Sequence, residues 1–303
     1  MNVNLTEFQG RAIHGANFAP DTSPEDFHGH GTAVAAIIGS RKYGVAKQVN
    51  IISVKIMNKM GEGTVDALLR ALEYVNQQSK LTGRPSIINL SASSDKDEII
   101  DAAVAETAKM DVPVIVSAGN SGIDACEFSP GRERSAFTVG ASNVNDRIAF
   151  FSNIGRCVNI FAPGESILTM DTDGDLSEED GTSFATPHVA GVFAMVLSQK
   201  HGFWNTKHMY QYVTQILSTK GKLSGELQKS PNSLIYNGAE DMSQLDIPDF
   251  DPYFDMEVCP VWKVIIYSNY SLLISQCWWA PNCRCNPIYT GIWESIIETL
   301  VAG

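Results

Sequence analysis

Apolar and polar residues alternate over 49–57, and Gly61 and Gly63 then break the pattern, which predicts a strand followed by a turn. Thr64 precedes Val65, Leu68, Leu69, Leu72 and Val75, whose spacing is that of an N-capped amphipathic helix. Residues 86–90 and 113–117 read as two further strands, with a helix over 99–110 between them. This alternation with short connections predicts a parallel sheet covered by helices. A strand over 137–141 follows, then a loop over 142–153. From Val189 the apolar residues Val192, Phe193, Ala194, Val196 and Leu197 spread too widely for one face, so this helix is predicted to be buried. Pro187 fits only a first turn, where an N–H has no intrahelical partner, which places Ser183 at or just before the helix N-terminus. A last helix over 207–218 carries Met209, Val213, Ile216 and Leu217 on one face. Residues 1–30 read as a polar, loop-rich segment.

A chain of 303 residues with 44% apolar content can bury a substantial core. Its net charge of −12, with no basic block, argues against a nucleic-acid partner. The apolar stretch 261–279 is interrupted by Lys263, Ser268, Asn269, Ser271, Ser275 and Gln276, so no membrane span is expected. No signal-peptide pattern follows Met1. An acidic linker over 238–256 leads to a tail over 257–303 that holds four of the six cysteines and has no assigned role.

Candidate chemistry clusters at three places. Residues 181–191, Gly-Thr-Ser-Phe-Ala-Thr-Pro-His-Val-Ala-Gly, put the Ser183 hydroxyl at a helix start, where free N–H groups and the helix dipole favour negative charge. An ordinary N-cap serine explains the same placement. Gly29-His30-Gly31-Thr32 opens another apolar helix, and a capping or core histidine explains that pattern equally. Ser117-Ala118-Gly119-Asn120 follows a strand and offers an amide donor. His14, His28 and His30 lack the spacing of a zinc site, and no metal site is assigned. Asp171-Thr-Asp-Gly-Asp and Glu178-Glu179-Asp180 read as a solvated acidic loop without the spacing of a calcium loop.

In their chain order, with His30 first, Asn120 next and Ser183 last, the three motifs closely resemble those of the subtilisin-like serine proteases, the subtilases of peptidase family S8. Gly44-Val45-Ala46-Lys47 and Glu7-Phe8-Gln9-Gly10-Arg11-Ala12 are similar to the proteinase-K-like branch that includes the cerevisins. The resemblance covers residues 1 to about 237. It implies a three-layer α/β fold with a mostly parallel central sheet flanked by helices, from which the first core strand is missing. It also implies a catalytic domain over 1–237 that is incomplete at its N-terminus. Serine endopeptidase chemistry would place the nucleophile at Ser183, the general base at His30 and an oxyanion donor at Asn120. Ser91, Ala92 and Ser93, with Ser117, Ala118 and Gly119, would line the extended substrate; Ser93 and Ser94 stand where the family carries glycines. Similar cysteines pair in some members, which implies a Cys126–Cys157 disulfide, two buried free thiols being the alternative.

The family's orienting aspartate lies ahead of the first residue of this chain, and neither Asp21 nor Asp26 matches its position. A truncated active protease and a catalytically impaired, peptide-binding subtilase both fit. The resemblance further implies polypeptide substrates, a monomer, an extracellular or vacuolar location and no cofactor for the chemistry. It leaves room for an inhibitory propeptide and for structural calcium with no assignable ligands.

Overall fold

The computed structural model describes residues 1–20, 23–199 and 205–238, all within the unit Met1–Leu245. The predicted linker after Gly238 and the tail, including four of the cysteines, lie outside the described residues, as does Asp21. The chain opens with β1 (Ala12–Asn17), α1 (His30–Gly39), β2 (Ile51–Lys55), α2 (Val65–Thr82), β3 (Ile88–Leu90) and β4 (Ser94–Asp95). There follow α3 (Glu98–Lys109), β5 (Val114–Ser117), β6 (Phe128–Ser129), β7 (Phe137–Ser142) and β8 (Ile160–Pro163). A hairpin of β9 (Ile167–Met170) and β10 (Leu176–Glu179) leads into α4 (Thr182–Gln199), α5 (Thr206–Gln215), β11 (Ser218–Lys220) and β12 (Ser233–Ile235).

Six strands form one sheet in the order β11-β12-β8-β7-β5-β3, parallel except for the β11–β12 pair. Its two faces are read directly from the strand period of two. Ile115, Phe137 and Val139 pack with Val189 and Phe193 of α4 and with Met209 and Val213 of α5. Val114 and Val116 face the other way, against Leu68 and Leu72 of α2 and Ile100 and Val104 of α3. This is the expected three-layer α/β arrangement, buried on both faces.

Local chemistry fixes the helices around it. The Thr64 side chain accepts from Ala67 N at 3.1 Å to start α2, and Gly83, at φ 61°, ends it. The Asp97 carboxylate accepts from the Ile99 and Ile100 amides to start α3.

Strands β1 and β2 form a separate parallel pair. Between the β2 and β3 edges lies a cleft of about 1320 Å³ lined by Ile52, Val54, Ile56, Ile87, Asn89 and Leu90. The interruption agrees with a missing core strand, and it leaves Ile52 half exposed. Strand β1 corrects the loop reading of residues 1–30. Its polar residues His14, Gly15 and Asn17 hide a strand that is made by pairing with β2 about 40 residues away. The acidic segment is likewise a hairpin rather than a loop: Asp171 Oδ1 accepts from the Asp173 and Asp175 amides and holds its turn. The helix read to residue 218 stops at Gln215, because Ser218 pairs with Ile235 in the sheet.

Cys126 and Cys157 are bonded. The loop they close, 31 residues of sequence separation, should contribute about 3–4 kcal/mol by restricting the unfolded chain. Replacing both cysteines by serine is expected to remove that amount in urea unfolding, with a larger m-value because the released unfolded chain exposes more surface. A loss below about 1 kcal/mol would count against the loop-entropy account.

Candidate active site

Ser183 is the second residue of α4 and is half buried. Its hydroxyl donates to the Ser91 carbonyl at 3.3 Å, and the Ser91 hydroxyl donates to the Ser183 carbonyl at 2.8 Å. The second bond explains Pro187, which stands inside α4 rather than in its first turn as the sequence predicted. In an α-helix the Ser183 carbonyl would accept from the N–H of residue 187, which proline lacks. Ser91, at the end of β3, supplies the missing donor, so a helix defect becomes a tie between the Ser183 backbone and the sheet.

His30 is the first residue of α1, and Gly29 before it has φ 91°, a conformation suited to glycine. Asp26 folds under this helix start. Its Oδ1 accepts from the His28 and Gly29 amides, and its Oδ2 from the Thr32 amide and hydroxyl. Burial pushes the Asp26 carboxyl up, but the Thr32 and Gly29 bonds, with the Met1 ammonium 3.8 Å from Oδ2, outweigh it and hold the acid below its ordinary range. Both of its oxygens are thus engaged with the helix start. Among the described residues no carboxylate hydrogen-bonds the His30 ring. The ring packs edge-to-face on Phe184, with centroids 5.4 Å apart, which brings His30 beside the residue that follows Ser183.

Burial, reinforced by neighbouring His28 and opposed by Asp26, lowers the His30 pKa from its ordinary value of 6.5. An imidazole kept neutral at and below that pH is suited to receive a proton. His188 is also lowered, by burial, while its Nδ1 donates to the Phe184 carbonyl at 2.9 Å. For both rings the unfolded chain binds more protons between the folded and unfolded pKa values. Stability is therefore fully present above about pH 6.5 and lost as pH falls below it. The urea midpoint is expected to drop between pH 7 and pH 5, with a slope of at most about 1.4 kcal/mol per pH unit per histidine. Glu7 and Asp26, whose pKa values are lowered, act only below that window. A flat profile would contradict the assignment; His188→Gln should reduce the slope.

The loop after β5 carries Asn120. The Asn120 Oδ1 accepts from the Thr182 amide and hydroxyl, each at 2.8 Å, and the Thr182 Oγ1 accepts from the Gly119 amide at 3.2 Å. With Oδ1 held by two donors, the amide's Nδ2 is fixed on the far side. There it lies 3.4 Å from where a Cβ on Gly181, two residues before Ser183, would stand. Thr182 was not singled out from sequence, although it lies inside the motif that was. Ser117 and Ala118 are buried, and the Ala118 amide and carbonyl bond internally to Val139 and Asn153. Ser93 lies just before the short pairing of β4 with β6, and its Oγ is 3.7 Å from a Cβ position on Gly119. Ala92 packs against the α2–α3 core.

The profile of Peptidase S8, the subtilase family, matches residues 4–232. The subtilase-type proteinase psp3 of Schizosaccharomyces pombe is 38% identical over 244 residues, covering 79% of this chain and 54% of that protein. Cerevisin of Saccharomyces cerevisiae is 36% identical over 263 residues, 80% of this chain and 41% of its own length. The chain thus spans about half the length of such relatives. A crystal structure of a cold-adapted subtilisin-like serine proteinase superimposes with a TM-score of 0.74 at 36% identity, over 78% of this chain and 85% of that one.

Proposed function

This chain belongs to the subtilase family, and on that premise we propose that its described unit carries out serine endopeptidase chemistry on polypeptides, with Ser183 as nucleophile, His30 as base and Asn120 as oxyanion donor. The observation that carries the reading is the convergence at the start of α4: Thr182 orients the Asn120 amide while its neighbours Ser183 and Phe184 meet Ser91 and His30. Attack requires the Ser183 hydroxyl to turn from the Ser91 carbonyl toward the imidazole, which takes the proton and returns it to the leaving amine. The Ser183 N–H at the helix N-terminus and the Asn120 Nδ2 receive the charge on the carbonyl oxygen. These side chains and the Ser183 N–H perform this chemistry.

Asp26 serves the start of α1, so no carboxylate among the described residues is placed to orient His30. That same observation favours a second reading, a catalytically impaired subtilase that binds peptides. Extended strands of substrate would run along Ser91–Ser93 and the 117–119 loop. A vacuolar or extracellular setting, a monomeric state and an inhibitory propeptide remain expectations from the family; no helix among the described residues is long and apolar enough to cross a membrane.

The test treats the chain with a fluorophosphonate and maps the adduct by peptide mass spectrometry. Serine attack forms the phosphorus–oxygen bond, fluoride leaves and the serine proton passes to the base. An adduct on Ser183 is expected. An adduct elsewhere, or none, overturns the endopeptidase reading in favour of peptide binding.

A further inference from the structure

Asn153 sits at the end of a segment that reads from sequence as a plain loop, yet its side chain is completely buried. Every polar atom of that side chain is bonded to one short stretch of chain. Its Nδ2 donates to the Ala118 carbonyl at 2.8 Å, and its Oδ1 accepts from the Ser121 amide at 3.0 Å and the Ile123 amide at 3.1 Å. Its own amide donates to the Gly119 carbonyl at 2.9 Å. These bonds grip both flanks of Asn120 and leave Asn120 itself untouched. The two segments are fastened further where Gly122 N donates to the Phe151 carbonyl and Ile154 N to the Ile123 carbonyl.

Packing enforces the same relation. Gly119 has φ 98°, and a Cβ placed on it would fall 2.4 Å from Asn153 Nδ2. The loop therefore curls directly over the Asn153 amide, with no room for a side chain between them. Thr182 fixes the rotation of the Asn120 amide; something else must fix where the backbone beneath it lies. An oxyanion donor acts only if it is held before the charge develops.

We propose that Asn153 is a positioning residue that sets the 118–123 backbone so that Asn120 Nδ2 points at the developing oxyanion. This deepens the endopeptidase reading and rests on it for its chemical consequence. Its test has two arms. In the first, amide hydrogen exchange is followed by NMR in the wild-type chain and in Asn153→Ala. Exchange at Ser121 and Ile123 is expected to quicken about tenfold or more, while Ile115 and Val116 in β5 keep their protection, since the alanine removes both acceptor bonds and leaves the sheet.

In the second arm, fluorophosphonate labelling of Ser183 is resolved into its rate constant and the fraction of protein labelled at completion. The rate constant should fall about tenfold or more, less than the roughly 10²–10³ for losing a donor outright, with an unchanged final fraction. A residue needed only for folding would instead lower the fraction. Asn153→Asp covers the case in which the alanine variant does not fold: it keeps acceptors for Ser121 and Ile123 but not the donor to Ala118. It should retain exchange protection at Ser121 and Ile123 and label at an intermediate rate. Unchanged exchange in Asn153→Ala, or labelling within twofold of wild type in both variants, overturns the proposal. Absence of labelling in the wild-type chain instead sinks the endopeptidase reading, and the exchange arm then decides the structural role of Asn153 by itself.

Discussion

Ser183→Ala is expected to lower the kcat for peptide hydrolysis by this chain by about 10², far less than a complete triad would lose. In subtilisin, removing the nucleophile costs about 2 × 10⁶, whereas removing the orienting aspartate alone costs about 3 × 10⁴. With no carboxylate on His30, as among the described residues, the ratio is what is left to lose, about 70-fold. The expectation rests on Asp26, whose oxygens both serve the start of α1, and on a His30 ring with no carboxylate hydrogen bond among the described residues. Steady-state hydrolysis of a chromogenic peptide by the two chains decides it. A fall near 10⁶ would show that a carboxylate does reach His30 in the working protein. No fall would remove Ser183 from the mechanism, and His30→Ala should match the serine variant because the two act as a unit.

Asn120→Ala is expected to lower kcat by about 10²–10³ with KM within a few-fold, because a donor aimed at the oxyanion acts mainly in the transition state. The side chain is well placed to show this cleanly. Asn120 is exposed, so its truncation opens no core cavity, and its Oδ1 serves only the Thr182 amide and hydroxyl. Thr182 Oγ1 retains its bond from the Gly119 amide in the variant, which limits the disturbance to the helix start. A large rise in KM at constant kcat would instead make Asn120 a substrate-binding group. Comparing this variant with Asn153→Ala separates loss of the donor from loss of its placement.

The local elements were legible because short-range chemistry makes them. Thr64 and Asp97 cap their helices through amides two or three residues away, and the apolar breadth of α4 already called for burial. The candidate nucleophile, base and donor were likewise visible, through motifs whose residues are adjacent in the chain. What sequence could not give were relations across distance. Strand β1 exists through β2, and Pro187 is tolerated because Ser91 crosses 92 residues to bond Ser183. Asn120 is oriented by Thr182 from 62 residues away, and its loop is held by Asn153.

The sequence by itself thus determined the layers, the helix starts and the candidate reactive groups, since period and capping operate within a turn or two. Only the tertiary structure decided how the site is held: which hydroxyl replaces the bond that proline removes, which carboxylate serves a helix rather than a histidine, and which buried amide is bonded to the loop on both sides of Asn120. A hydrogen bond depends on the distance and angle of its partners, and folding alone brings residues so far apart in the chain into that geometry.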